Sequence, residues 1–268
     1  MAWEWVLAYL ALGGVVGLMA GLFGIGGGAI MVPVFTTFFS LQHFPEQHRL
    51  HMALATSMAA IIPTSIASLR AHNKRGAVRW DIVKKITLGV LVGTFGSALI
   101  AGFIPTLPLA IFFCVFMAYV ALQMWLNVKP QPTRQLPNQA GMTLAGLIIG
   151  AVSALVAIGG GSLSVPFMTW CNVKMQEAIA TSSAIGLPIA VAGTLGHVIS
   201  GWTVQGLPAY TIGFVFLPAM IVVSSVSVFT APMGAKLAHT LPVPTLKKLF
   251  ALVLIGLAAK MLHTLLTQ

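Results

Sequence analysis

Two glycine clusters carry the strongest chemical signal in this 268-residue chain. They are Gly26-Gly27-Gly28 and Gly159-Gly160-Gly161, each set in apolar sequence with a proline five residues past its last glycine, Pro33 and Pro166. Glycine costs roughly 1 kcal/mol against alanine inside a helix, so three in a row favour a break. A helix that restarts after such a break points unpaired N–H groups and the positive end of its dipole at whatever lies there. That arrangement suits an anion. The alternative is that the glycines serve close packing alone. Neither cluster is followed by Gly-Lys-Ser/Thr, and no strand precedes it, so a nucleotide-binding loop is disfavoured.

Hydroxyl and imidazole groups recur with the glycines. Thr56-Ser57 and Thr181-Ser182 each precede a proline by seven residues, Pro63 and Pro188 counted from the first hydroxyl, and Ser162 directly follows the second cluster. Such hydroxyls contact a substrate or bond back to their own helix. His72 and His197 could donate to an anion or carry protons. His72, beside Asn73-Lys74-Arg75, also reads as a solvated helix cap. The acids number four, Glu4, Glu46, Asp81 and Glu177, and lie at loops or the edges of apolar runs. No catalytic residue set, zinc set or other metal site, and no cofactor, is expected. A carrier of cations would normally hold an acid within the membrane, so helix ends and a small anion are the better match.

The elements that must position these groups are membrane helices. Hydrophobic residues make up 58% of the chain and charged residues 7%, against about 25% charged in an ordinary soluble domain. Mean hydropathy is +0.97. The net charge of +10 comes from basic residues spread between apolar runs, which suits cytoplasmic loops better than nucleic acid. Cys114 and Cys171 form no disulfide framework. The segment MAWEWVLAYLALGG has no basic leader and reads as the start of the first membrane helix. Apolar stretches of spanning length cover about 3–23, 52–69, 82–103, 108–127, 141–158, 178–199, 207–231 and 245–266, with shorter runs at 28–41 and 161–171. Gly13-x3-Gly17-x3-Gly21, Gly89-x3-Gly93 and Gly146-x3-Gly150 have the spacing for close helix contact.

A polar, proline-rich linker at 129–140 divides the chain into a first membrane repeat, 1–128, and a second, 141–268. The halves match in two blocks. At an offset of 133, Gly13, Gly17, Ile25, Gly26, Gly27, Gly28, Val32 and Pro33 meet identical residues. At an offset of 125, so do Ala53, Ala55, Thr56, Ser57, Ala59, Pro63, His72 and Gly76. With eight simply alternating spans, the fourteen Lys and Arg residues divide nine to five across the membrane. If each glycine cluster instead breaks a helical hairpin that enters and leaves on one side, three spans per half invert the second half. Only Arg49 and Lys260 then leave the positive side. The positive-inside rule favours this second arrangement. The expected fold is therefore an all-α integral membrane protein of two homologous, inverted halves, each a Gly-broken helical hairpin plus about three spanning helices.

GLFGIGGGAIMVPVF followed by ALATS, and AIGGGSLSVPF followed by AIATSSAIG, resemble the TauE/SafE sulfite exporter family, also called the toluene sulfonate uptake permease family. The likeness covers roughly residues 8–265. In the second half Ala157 stands where the first half has Gly24. The resemblance implies a multi-pass permease of a bacterial-type plasma or inner membrane, not an enzyme, for sulfite, thiosulfate or organosulfonates. The expected site groups Gly26, Gly27, Gly28, Thr56, Ser57, His72, Gly159, Gly160, Gly161, Ser162, Thr181, Ser182 and His197 around a small anion, with the two halves rocking about it. Its expected partners are that substrate and the lipid bilayer, with no nucleic acid; a homo-oligomer is compatible with the sequence. Transport of another small anion or a cation, or a membrane assembly subunit that moves nothing, are the alternatives.

Overall fold

The computed structural model describes residues 3–24, 26–126, 134–238 and 243–266. Among these lie ten helices. The first five are α1 (Trp3–Phe23), α2 (Gly28–Leu41), α3 (Glu46–Asn73), α4 (Trp80–Ala101) and α5 (Thr106–Trp125). The second five are α6 (Gln139–Val156), α7 (Gly161–Trp170), α8 (Met175–Gly201), α9 (Leu217–Leu237) and α10 (Val243–Leu266). Helix is what the lipid demands, because it pairs each backbone polar group within the segment. Seven helices are long and apolar enough to span. α2 and α7, with 14 and 10 residues, reach only about 21 and 15 Å at 1.5 Å per residue, well short of a hydrocarbon core of about 30 Å. Much of the linker, 127–133, lies outside the described residues. Its end does not: Asn138 caps α6 by accepting the Gly141 N–H at 2.9 Å.

One expected span is corrected. The apolar stretch 207–231 does not begin as helix. Residues 211–216 form a short antiparallel hairpin, β1 (Thr211–Ile212) paired with β2 (Val215–Phe216), and the helix runs from Leu217 to Leu237. Gly206 and Gly213 take positive φ there, and Gly213 sits against the Val198 backbone where no side chain fits.

The glycine-spaced faces form two seams. Along α1, a methyl on Gly13 or Gly17 would stand 2.5 Å from the carbonyl oxygens of Val223 and Ser227 on α9. Gly21 abuts Ala231 and Ala235 in the same register. Along α6, a methyl on Gly150 would stand 2.5 Å from the Val90 carbonyl oxygen on α4, and Gly89 and Gly93 abut Thr143 and Leu147. Partner numbers rise together in both seams, so both helix pairs are parallel. Backbone meets backbone because no side chain intervenes. Each seam joins the first helix of one half to the fourth helix of the other.

α3 and α8 cross the centre antiparallel. Ser68 meets Ser183, Gly186 lies against Ser65, and Gly193 against Met58. Each carries a proline near its midpoint, Pro63 and Pro188, which removes one intrahelical bond. Large apolar side chains such as Leu88, Val115 and Phe229 remain exposed, facing the acyl chains.

Candidate binding site at the glycine breaks

The breaks form because the chain must turn between α1 and α2, and between α6 and α7, without space for side chains. Gly27 (φ +79°) and Gly160 (φ +81°) immediately precede the short helices in left-handed geometry. That conformation costs other residues about 1–2 kcal/mol. Gly24 is also left-handed, at +68°, and its counterpart Ala157 adopts the same turn at +47°. The departure from the glycine pattern at Ala157 thus keeps the backbone path.

The two breaks touch. A methyl on Gly26 would stand 3.0 Å from the Gly159 Cα and 3.2 Å from Cγ2 of Ile61, and Gly28 lies against the Ala157 carbonyl. Ile61 is near the middle of α3, and Ile189, which contacts Gly160, is near the middle of α8. The breaks therefore sit at mid-height in the bundle. Neither α2 nor α7 has a side-chain hydrogen bond capping its start, so both positive helix ends converge on one central region. No acid competes there: Glu4, Glu46, Asp81 and Glu177 each occupy the first turn of a helix, where the dipole favours them.

The expected hydroxyls separate into two groups. Thr56 and Thr181 are fully buried and already hold a backbone donor. Thr56 Oγ1 accepts the Phe216 N–H at 3.0 Å, and Thr181 Oγ1 accepts the Arg79 N–H at 3.0 Å. Phe216 and Arg79 are the N-cap residues of α9 and α4. Each duplicated threonine thus ties the start of the fourth helix in the other half. Ser182 donates to the Gly24 carbonyl at 2.9 Å and so braces the first break. Ser57 and Ser162 are buried with hydroxyls that meet no partner among the described residues, which leaves both able to donate to a ligand.

The histidines are not solvated caps. His72 is fully buried, and its Nε2 lies 3.3 Å from the Gly21 carbonyl near the end of α1. His197 is equally buried and faces the backbone of Ala154, the repeat counterpart of Gly21. Neither ring nitrogen of His197 makes a well-formed hydrogen bond. The His72 imidazole thus braces the helix that leads into the first break.

The expected residue list omitted a hydroxyl cluster beside the first break. Thr64, Ser65 and Ser68 on α3, with Ser183 on α8, join Gly24 and Gly26 around a cavity of ≈ 10 Å³. That is about the room one water needs. A sulfur oxyanion does not fit it. The spacing i, i+1, i+4 just after Pro63 was the available signal.

Arg79, the N-cap residue of α4, bridges to α8. Its guanidinium meets Asp81 at 2.8 Å and Glu177 at 3.5 Å. Together they hold its proton more tightly than usual, the Asp81 hydrogen bond contributing most.

The profile of the sulfite exporter TauE/SafE family matches residues 9–261. A Haemophilus influenzae protein named "probable membrane transporter protein" is 34% identical over 257 residues, covering 96% of this chain and 97% of that protein. A protein of the same description from Methanocaldococcus jannaschii is 26% identical, covering 85% of this chain and 84% of its own length. No solved structure matches the chain. The helical bundle and the full-length family match agree: the chain belongs to the sulfite exporter TauE/SafE family of multi-pass membrane transport proteins.

Proposed function

We propose that the chain is a secondary carrier for a small sulfur oxyanion or organosulfonate, working by alternating access around a site at the paired glycine breaks. The observation that carries this reading is the contact between the two breaks at mid-height, where α2 and α7 both start without a side-chain cap. Two positive helix ends, with the buried, unpaired Ser162 hydroxyl in the first turn of α7, supply donors and no acceptor charge, which is the chemistry an oxyanion needs. The family's description supports a sulfur-containing anion as the cargo.

The halves are read as inverted repeats, and the antiparallel crossing of the equivalent helices α3 and α8 supports this. The glycine seams refine the moving parts. Because α1 is tied to α9 and α6 to α4, the units that rock are these mixed pairs and not the two sequence halves. Opening must break contacts at the helix starts that Thr56, Thr181 and Arg79 hold.

Uptake of radiolabelled sulfite or sulfoacetate into proteoliposomes tests the proposal. Saturable flux is expected, with Gly27→Leu and Gly160→Leu abolishing it. A folded, reconstituted protein that moves none of these anions would overturn the reading.

A further inference from the structure

We infer that the hydroxyl-lined cavity at the C-terminal end of α1 is a binding site for a small monovalent cation of the Na⁺ class. The inference rests on the carrier reading only where the cation is taken to couple to anion movement; occupancy itself does not depend on it.

The hydroxyl protons decide what this cavity can hold. A hydroxyl has one proton to donate and two lone pairs. Thr64 Oγ1 lies 2.9 Å from the Ala60 carbonyl and 2.6 Å from Ser227 Oγ, so its proton is committed to a protein acceptor in either arrangement. Ser68 donates to Ser183 at 3.2 Å, and Ser183 donates to the Ile179 carbonyl at 3.3 Å. Three of the four protons are thus committed to protein acceptors, which leaves lone pairs on the lining oxygens. Ser65, only 4% exposed, also lines the cavity. The Gly24 carbonyl takes one hydrogen bond from Ser182 and keeps a second lone pair.

Such a lining offers acceptors and little else. An anion needs donors and would meet lone-pair repulsion here. The C-terminal end of α1 adds the negative end of its dipole, and the last carbonyls of a broken helix are suitable ligands for an alkali cation. The size agrees, since the cavity admits one water-sized particle and no polyatomic ion.

The second half has lost the equivalent site. Under the repeat offset of 125, Thr64, Ser65, Ser68 and Ser183 correspond to Ile189, Ala190, Gly193 and Met58. These pack together: Met58 sulfur lies 3.1 Å from a methyl placed on Gly193. One cation per chain follows. The same break then presents a carbonyl to the cation at Gly24 and N–H groups to the anion after Gly28. A cation bound at Gly24 would hold the left-handed turn that aims α2 at the anion.

The test is thermal unfolding of the purified full-length protein in NaCl, KCl and choline chloride at equal ionic strength. A ligand that binds only the folded state raises the midpoint with its concentration. Saturable stabilisation by Na⁺, absent with K⁺ and choline, is expected. Ser65→Ala and Ser68→Ala should each weaken the apparent Na⁺ affinity by about tenfold or more. Identical midpoints for the wild-type protein in all three salts would overturn the site, as would a Na⁺ response unchanged in both variants. If those variants fail to fold, Ser183→Ala gives the same reading. A Na⁺ response without anion flux leaves the site standing and removes the carrier reading; anion flux without a Na⁺ response does the reverse.

Discussion

Replacing Thr56 by valine removes one oxygen at nearly constant volume, and the structure gives the consequence a size. Thr56 Oγ1 is the acceptor for the Phe216 N–H at 3.0 Å, in a fully buried setting at the start of α9. Without it, that N–H has neither protein nor water to meet. An unsatisfied buried donor costs about 1–3 kcal/mol. The repeat supplies an internal control. Thr181 holds the Arg79 N–H at the same 3.0 Å, but that bond is only part-buried. Water can replace the oxygen there, so Thr181→Val should cost no more than the net worth of one exchanged bond, about 0.5–1.5 kcal/mol. Denaturant or thermal unfolding of the two variants, read by tryptophan fluorescence, should rank Thr56→Val as the more damaging. Neither change should alter the apparent KM for sulfite uptake beyond what lost protein explains. An equal or reversed ranking would refute the burial argument. Unchanged stability with a raised KM for Thr56→Val would show that its oxygen serves the substrate and not the helix.

Four further outcomes are expected. Gly17→Leu drives a side chain into the Ser227 backbone and should cost at least the roughly 1–3 kcal/mol typical of overpacking; Gly96→Leu, with nothing within 4 Å, should change the stability by less than about 0.5 kcal/mol. Gly160→Ala places a methyl 2.5 Å from Ile189 Cδ1 at a φ of +81°, so about 1–2 kcal/mol of backbone strain and a loss of flux should appear together. Arg79→Gln breaks half-exposed ion pairs; its stability cost should stay below about 1 kcal/mol and shrink further in high salt. In a chain lacking Cys114 and Cys171, single cysteines at Arg75 and Thr203 should react with impermeant thiol reagents from opposite sides of the membrane, and labelling from one side would rule out the inverted halves.

Much of this architecture was legible because its causes are local. Hydropathy and length mark the spans, and three consecutive glycines mark a break wherever they fall. The Gly13–Gly17–Gly21 spacing announced a contact, but not that α9 would supply the partner. The stretch 207–216 misled because apolarity alone does not distinguish helix from a buried hairpin; Gly206, Pro208 and Gly213 were the turn signals. Site roles were harder to read because they depend on distant pairings. Thr56 finds Phe216 across 160 positions, and no periodicity reveals that. His72 read as a solvated cap from its basic neighbours, yet α3 carries it into the bundle against Gly21. Thr64, Ser65 and Ser68 were visible at helical spacing, but they became a lined cavity only when antiparallel α8 brought Ser183 to them.

The crossed glycine seams also set the order in which the molecule can be made. Gly17 sits against Ser227, 210 positions downstream. A ribosome adding about 5–20 residues per second needs on the order of 10–40 s to reach it. During that interval α1 is already in the bilayer with its glycine face presented to lipid or to the insertion machinery. α4 waits far less for α6. The nascent chain therefore closes its second seam before its first, and the N-terminal helix is among the last elements to find its permanent neighbour. Premature truncation anywhere before α9 would strand that helix, which makes it the natural point for membrane quality control to grip.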